Sequence, residues 1–584
     1  MTLSTADWAV LAVYFLLTFG IAWWLRGRAQ RSLADFFVSG RGVPWWIAGT
    51  SMVATTFAVD TPLAVTGLTA TFGIAGNWLW WSLLLSGMLT VFFFARLWRR
   101  AGVLTDVELI ELRYAGRPAA FLRGFRALYL GVLMNCLIMG WVNLAMVKVL
   151  KIALNLEKID AVLLCLAITA AYTTISGLWG VLITDFLQFI LMMAMTIVMA
   201  YFAVVAVGGL GAMRTQLLAP GGAGGDGLLL AFFPSPDSAW LPVTVFLVYI
   251  GVNWWASWYP GAEPGGGGYV AQRIFCAKDE KHSLWATLWF NIAHYALRPW
   301  PWILVALASV ILYPGLADKE AGYVQVMVDH LPASLRGLML AAFLAAYMST
   351  ISTHLNWGAS YAINDFYRRF LRPHASEHHH LRASQVATLL LMHLAAGVTY
   401  HLETIRGAWQ LLLMVGAGTG AVYLLRWYWW RINAWSEISA MVAAFLTSLS
   451  LHYGKPFAGS EQVLFAKNML TTTAVVSAVW LAVTYLTRPE PAPHLLNFYR
   501  RVRPAAFGWA PIAQQAPDVP AVSSGWYNLR AWVLGCALVY FSLFATGKLL
   551  LGFWMSGLGL LAGAVVSAAL LYYHFTRRGW ESFG

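Results

Sequence analysis

Ser349, Thr350, Ser352 and Thr353 set four hydroxyls within five residues, in a stretch, Ala345 to Thr353, that is otherwise apolar apart from Tyr347. On a helix, Ser349 shares a face with Ser352 and Thr353, and Thr350 sits beside them with Thr353. Hydroxyl and carbonyl oxygens are the hard ligands that a small alkali cation requires once it sheds water. The same residues also suit close helix approach, or bonding back to their own backbone. Two carboxylates stand in comparable surroundings. Asp185, in Thr184-Asp185-Phe186-Leu187-Gln188, falls about one turn into an apolar run. There it is either a functional group inside hydrocarbon or one that reaches water at the inner face. Asp60 lies deeper in its apolar run and precedes Thr61-Pro62. Arg298 is the one basic residue deep in such a run, free to pair with Asp60, to meet an anionic substrate, or to snorkel to the surface.

The elements that carry these residues are membrane spans. Of 584 residues 60% are hydrophobic and 11% charged, against about 25% charged in soluble domains. Apolar stretches long enough to cross about 30 Å of hydrocarbon lie near 7–25, 45–71, 78–96, 127–150, 160–177, 181–207, 241–262, 284–312, 335–365, 384–400, 407–430, 435–452, 468–487, 530–547 and 550–575. This pattern of about fifteen spans predicts an all-α polytopic membrane protein with the lipid bilayer as its solvent. It excludes a disordered chain, a coiled coil and a secreted disulfide scaffold.

The net charge of +13 is topological. Most basic residues fall on alternate loops, among them Arg26 to Arg41, Arg96 to Arg126, Arg273 to Lys281, Arg368 to Arg382 and Arg488 to Arg530. By the positive-inside rule these loops face the cytoplasm, with the N-terminus outside and the C-terminus inside a cell membrane, the inner one in a Gram-negative bacterium. No nucleic-acid patch is implied, and no obligate protein partner is evident. The start, Met1-Thr2-Leu3-Ser4, lacks the basic flank of a signal peptide. Cys136, Cys165 and Cys536 fall in spans and Cys276 in an inner loop, so no extracellular disulfide or zinc spacing arises. His378-His379-His380 reads as a solvated run, and Gly208–Gly227 as a flexible external loop. No Gly-x-x-x-x-Gly-Lys motif supports use of ATP. No nucleophile or metal set suggests an enzyme.

Setting aside the first span, the next ten divide into two halves, 45–207 and 241–431, separated by the loop 208–240. Residues 1–44 precede them, and 432–584 follow with a basic inner loop at 488–526. The first span of each half is interrupted: by Thr55-Thr56 and Asp60-Thr61-Pro62 in one, by Pro260 and Glu263-Pro264-Gly265 to Gly268 in the other. An odd number of spans per half inverts the second. Interrupted spans at matching positions of two such halves point to a transport site near the midplane, where freed carbonyls can bind a cation. Two ordinary proline kinks would give a similar pattern.

At this point a resemblance emerges. Asp35-Phe36-Phe37-Val38-Ser39-Gly40-Arg41 with Pro44-Trp45-Trp46 and Gly49-Thr50-Ser51 is similar to the entry of the first core span in the sodium:solute symporter family. Tyr172 to Val181 with Thr184 to Gln188, Tyr269-Val270-Ala271-Gln272-Arg273, and Gly418 to Asn433 resemble its later motifs, in the same order. The resemblance implies a leucine-transporter-type five-plus-five inverted repeat, with one leading and about four trailing helices. It implies Na⁺ as the coupling ion, a small-molecule substrate and no catalytic residues. One sodium site would take the carbonyls of Ala54, Phe57 and Ala346 and the hydroxyls of Ser349 and Thr350. A second would use Asp185, Ser349, Ser352 and Thr353, giving two ions per cycle.

The chain departs from the family pattern in three places. Gly261 to Gly268 resembles an insertion, Asp60-Thr61 stands where sugar carriers present a glutamine, and the aromatic gate finds no single match among Trp254, Trp255, Trp258 and Tyr259. Substrate contacts are predicted at Asp60, Thr61, Asn253, Trp254, Trp255, His294 and Arg298. The function expected is uptake with sodium of a small polar solute such as a sugar or sugar derivative. The alternative is a membrane-embedded solute sensor of the same fold, which would need a signalling domain larger than residues 576–584.

Overall fold

A computed structural model describes residues 3–29, 41–219, 228–234, 242–402, 405–520 and 525–578, with the side chains of 22, 25–29, 170–180, 406, 410, 411, 415 and 578 left out. Asp35–Gly40 and the side chains of Tyr172–Gly180 therefore lie outside the described residues. Every described element is helical, and each of the fifteen predicted spans coincides with helix. Ten helices are long and apolar enough to cross a membrane, among the described residues. The other five spans are helical but shorter, broken or partly described: Thr5–Ala29, 45–72, the first arm of Lys158–Ala206, Val243–Ala256 and 405–428.

Lys158–Ala206 is assigned as one helix of 49 residues, not the two predicted spans. At 1.5 Å per residue that length is about twice the hydrocarbon thickness. Residues on both of its arms meet the same turn of Leu335–Leu371. Cys165 and Thr169 adjoin Tyr347, and Asp185 bonds Ser349.

The first broken helix runs Trp45–Thr56, pauses at Phe57, Ala58 and Val59, and resumes at Asp60–Phe72. Pro62 causes no kink, because it sits in the first turn of the second segment, where its missing N–H would have had no partner. The second broken helix ends earlier than Pro260 predicts. Ala256 is its last helical residue, Ser257 is extended, and helix returns only at Gly268–Cys276. A third interruption, not foreseen, separates Ile405–Val415 from Gly420–Tyr428. There Gly418 adopts a φ of +83° and its N–H bonds the Ala256 carbonyl at 2.9 Å. One break thus satisfies another's orphan group.

The inserted segment 261–268 is buried throughout. Gly261, Gly265, Gly266 and Gly268 all take positive φ, a region closed to most side chains. Its carbonyls are met by Ser86, whose hydroxyl donates to Ala262, and by the Trp98 indole, which donates to Gly265 at 2.7 Å. Two surface expectations need correction. Within Gly208–Gly227, Leu210–Leu218 is helix, and 220–227 lies outside the described residues. Cys276 closes a helix and is buried.

The basic loops gather at one end of the bundle. Arg41 bonds the carbonyl of Gly102, Arg99 that of Ala277, Arg113 that of Arg426, and Arg100 pairs with Glu280. The core of this end is Glu437, fully buried, whose carboxylate accepts from Tyr114 (2.7 Å), Arg126 (3.1 Å) and Arg426 (3.3 Å). Removing the carboxylate would strand two guanidiniums in a low dielectric, at about 3–5 kcal/mol. Glu437→Ala is expected to lower the thermal midpoint of the purified protein by several degrees, and Glu437→Asp by less. An unchanged midpoint for Glu437→Ala would show that the two arginines find other partners.

Candidate functional site

The two breaks face one another across a cavity with about 640 Å³ of atom-free space. Thr55, Thr56, Ala58, Asp60 and Thr61 line it from the first broken helix, Tyr259 to Ala262 and Tyr269 from the second, and His294 and Arg298 from Glu280–Leu312. Trp409 lines both this cavity and a second recess at the end opposite the basic loops, where Lys148 pairs with Glu320 and Asp318.

His294 and Arg298 reach the cavity because their helix widens there. Ala293–Leu297 forms a π turn, ended by Pro299, with the Arg298 N–H bonded five residues back to Ala293. Such turns arise where proline removes the ordinary donor and crowds the preceding turn. Arg298 then spends its donors on the first broken helix. Nη1 lies 3.2 Å from Thr56 Oγ1 and 3.5 Å from the Val53 carbonyl, and Nη2 lies 2.5 Å from His294 Nδ1. Its guanidinium stacks at 5.2 Å from the Trp302 ring and 5.6 Å from Phe57. Among the described residues no ion pair joins it to Asp60 within 4 Å. Asp60 is 3% exposed, and its Oδ1 has no hydrogen-bond partner.

Of the predicted substrate contacts, Asp60, Thr61, His294 and Arg298 come together on the cavity, while Asn253, Trp254 and Trp255 do not. These three residues close the helix before the break, and their side chains are engaged elsewhere. Asn253 accepts from Ser257, the Trp254 ring packs on Trp532, and the Trp255 indole bonds back to Gly251. The aromatic lining comes instead from Trp80, Trp141, Tyr259, Tyr269, Tyr295 and Trp409.

Below the cavity the hydroxyl run of Leu335–Leu371 packs on the end of the first broken helix. The Thr350 hydroxyl donates to the Thr55 carbonyl at 2.9 Å, and Thr55 Oγ1 lies 3.2 Å from Thr353 Oγ1. Ala54 and Phe57 flank this contact, and the Ala54 carbonyl accepts from the Phe57 N–H. Asp185 is fully buried and takes the Ser349 hydroxyl on Oδ1 at 2.6 Å and the Ser51 hydroxyl on Oδ2 at 2.5 Å. Ser352 stands apart, donating to its own helix at the Ser349 carbonyl.

Two members of this cluster are absent from the sequence-based ligand sets. Ser51 is legible in retrospect as the residue one turn before Thr55. Arg273, from the Gln272-Arg273 motif, is fully buried, 3.7 Å from Asp185 and bonded to Thr353 at 2.8 Å and to Ser51 at 3.2 Å. Its charge neutralises Asp185. Its role follows from a fold in which Gly268–Cys276 passes beneath the first break, which spacing alone does not reveal.

The pattern of the sodium:solute symporter family matches residues 36–444. Mouse solute carrier family 5 member 4B is 25% identical over 545 residues, covering 84% of this chain and 81% of its own. A Vibrio parahaemolyticus sodium/glucose cotransporter is 24% identical, covering 82% and 91%. In fold, a substrate-bound Na⁺-coupled sialic acid symporter in its outward-open state superposes with a TM-score of 0.67 at 18% identity, covering 84% of this chain and 99% of that one. A nucleobase-cation-symport-1 family transporter superposes at 0.51 and 13% identity, covering 80% and 98%. The bundle is accordingly a leucine-transporter-type five-plus-five inverted repeat. With broken helices facing across one cavity and a hydroxyl run beneath them, the chain belongs to the sodium:solute symporter family, as a multi-pass membrane transporter rather than an enzyme, with sodium as its coupling ion.

Proposed function

We propose that the chain couples the inward movement of two sodium ions to uptake of a small polar organic solute, such as a sugar or sugar derivative, by alternating access. The observation that carries this reading is the contact of Thr350 with the Thr55 carbonyl. It sets a run of hydroxyls against the end of a broken helix, where a cation can take the place of the local donors at the carbonyls. The first ion is held by Ala54, Phe57, Ala346, Ser349 and Thr350. The second is held at Asp185 with Ser349, Ser352 and Thr353, and it requires Arg273 and the Ser352 hydroxyl to yield their present partners. The solute occupies the cavity above, against Asp60, Thr61, His294 and Arg298. The halves 45–207 and 241–431 are the two repeats, and the end that gathers the basic loops faces the cytoplasm with the C-terminus.

Two measurements in proteoliposomes test the ion assignment. A charged or ion-directed bond contributes about 1.5–3 kcal/mol, which is about 10–100-fold in affinity. Ser349→Ala is expected to raise the sodium concentration for half-maximal uptake by that factor, with the fold intact by thermal shift. Sodium dependence identical to that of the unmodified protein would remove Ser349 from both sites. Asp185→Asn keeps the shape but deletes the charge of the second site only, so the sodium Hill coefficient is expected to drop from near two to near one. A Hill coefficient of one before any substitution would reduce the stoichiometry to a single ion.

A further inference from the structure

We infer, on the basis of the symport reading above, that the solute carries a positively charged nitrogen. That nitrogen sits against Asp60 within the rings of Trp141, Tyr259 and Trp409.

Among the described residues, Asp60 is the one carboxylate on the cavity wall. The Trp409 indole adjoins it, yet neither Trp409 Nε1 nor Asp60 Oδ1 completes a hydrogen bond. A buried carboxylate oxygen without a partner is costly to a fold and persists where a ligand supplies what is missing. The nearest fixed cation does not supply it. Arg298 is committed to Thr56, Val53 and His294 and stacked on Trp302 and Phe57.

Three kinds of ligand compete for this place. An anionic solute group would add a second negative charge beside the first. A bare alkali cation needs several oxygen ligands, whereas the wall around Asp60 is largely aromatic and the oxygen-rich set lies around Thr350 and Thr353. A neutral hydroxyl would donate one bond but leave the charge uncompensated. A cationic nitrogen provides both the countercharge and the donors, and its methylene or methyl surface is attracted to the faces of Trp and Tyr. The aromatic wall and the orphan carboxylate thus select the same chemistry.

The test compares charged and uncharged isosteres on the full-length protein in lipid nanodiscs with sodium present. Glucosamine is set against glucose and N-acetylglucosamine, and choline against 3,3-dimethylbutanol, with binding read by thermal shift and radioactive sodium binding measured in parallel. The cationic member of at least one pair is expected to bind at least tenfold more tightly than its neutral partner. Asp60→Asn should abolish that preference, while Asp60→Glu, which keeps the charge, retains it. Equal binding within the pairs, or no cationic probe binding while sodium binding is intact, overturns the inference. So does a loss of sodium binding in Asp60→Asn without any solute, which would place an ion at Asp60. Absence of sodium binding in the unmodified protein would instead sink the symport reading itself.

Discussion

Hydrocarbon offers no hydrogen bonds, so a helix can be broken inside a membrane only where protein replaces the lost partners. That constraint organises this molecule. At the first break the Ala54 carbonyl is met by the Phe57 N–H, the Thr55 carbonyl by Thr350, and the Thr56 carbonyl by the Thr61 hydroxyl. At the second, the Ala256 carbonyl is met by Gly418, that of Ala262 by Ser86, and that of Gly265 by Trp98, while the Gly268 N–H finds Asp106. The bonds of Ala54 and Thr56 stay within the first broken helix, and the others reach segments distant in the chain. The helices that surround the breaks are therefore fixed by polar accounting as much as by apolar packing, and the cavity is the space left between two satisfied interruptions.

The same constraint explains what could be read from the sequence. The spans were legible because hydrocarbon thickness imposes a length on every apolar run. The first break was legible because Thr55-Thr56 and Asp60-Thr61-Pro62 put helix-weakening residues and a charge inside one run. The second was misplaced at Pro260 because proline marks a limit on helix, not its end. The chain leaves the helix at Ser257, which is followed by Trp258 and Tyr259, residues that carry no breaking signal. Tyr259, in the extended stretch after that end, lines the cavity, while Asn253, Trp254 and Trp255 do not. The break at Gly416–Thr419 was hidden for a related reason. Glycines are common in membrane helices, and only the partner at Ala256 shows which of them carries an interruption.

Charges were harder to place than hydroxyls. Asp60, Asp185, Arg273 and Arg298 are all conspicuous in an apolar chain, but a charge can be neutralised by any opposite charge the fold brings near. Their depth in apolar runs offered Asp60 and Arg298 as one pairing. The fold pairs Arg273 with Asp185 instead and leaves Asp60 facing the cavity, because a π turn and Pro299 aim Arg298 at the carbonyl of Val53. Such outcomes depend on where three or four helices cross, and no local spacing encodes that.

Arg273 and Arg298, both buried, come from the second half and grip the first broken helix, Arg298 at Thr56 and Arg273 at Ser51. Asp185 links that same helix to Leu335–Leu371 through the hydroxyls of Ser51 and Ser349. The first broken helix is thus held on one side by fixed cations and on the other by a carboxylate shared between two hydroxyls. Charge-assisted bonds of this kind are short and directional, so they either hold or break as the helices shift and cannot be stretched gradually. A cation at Asp185, as proposed for the second site, would compete for the oxygens that now face Ser51, Ser349 and Arg273. Ion binding there and the grip on the first broken helix would then draw on the same lone pairs, and that shared demand would link the ion to the helix that lines the solute cavity.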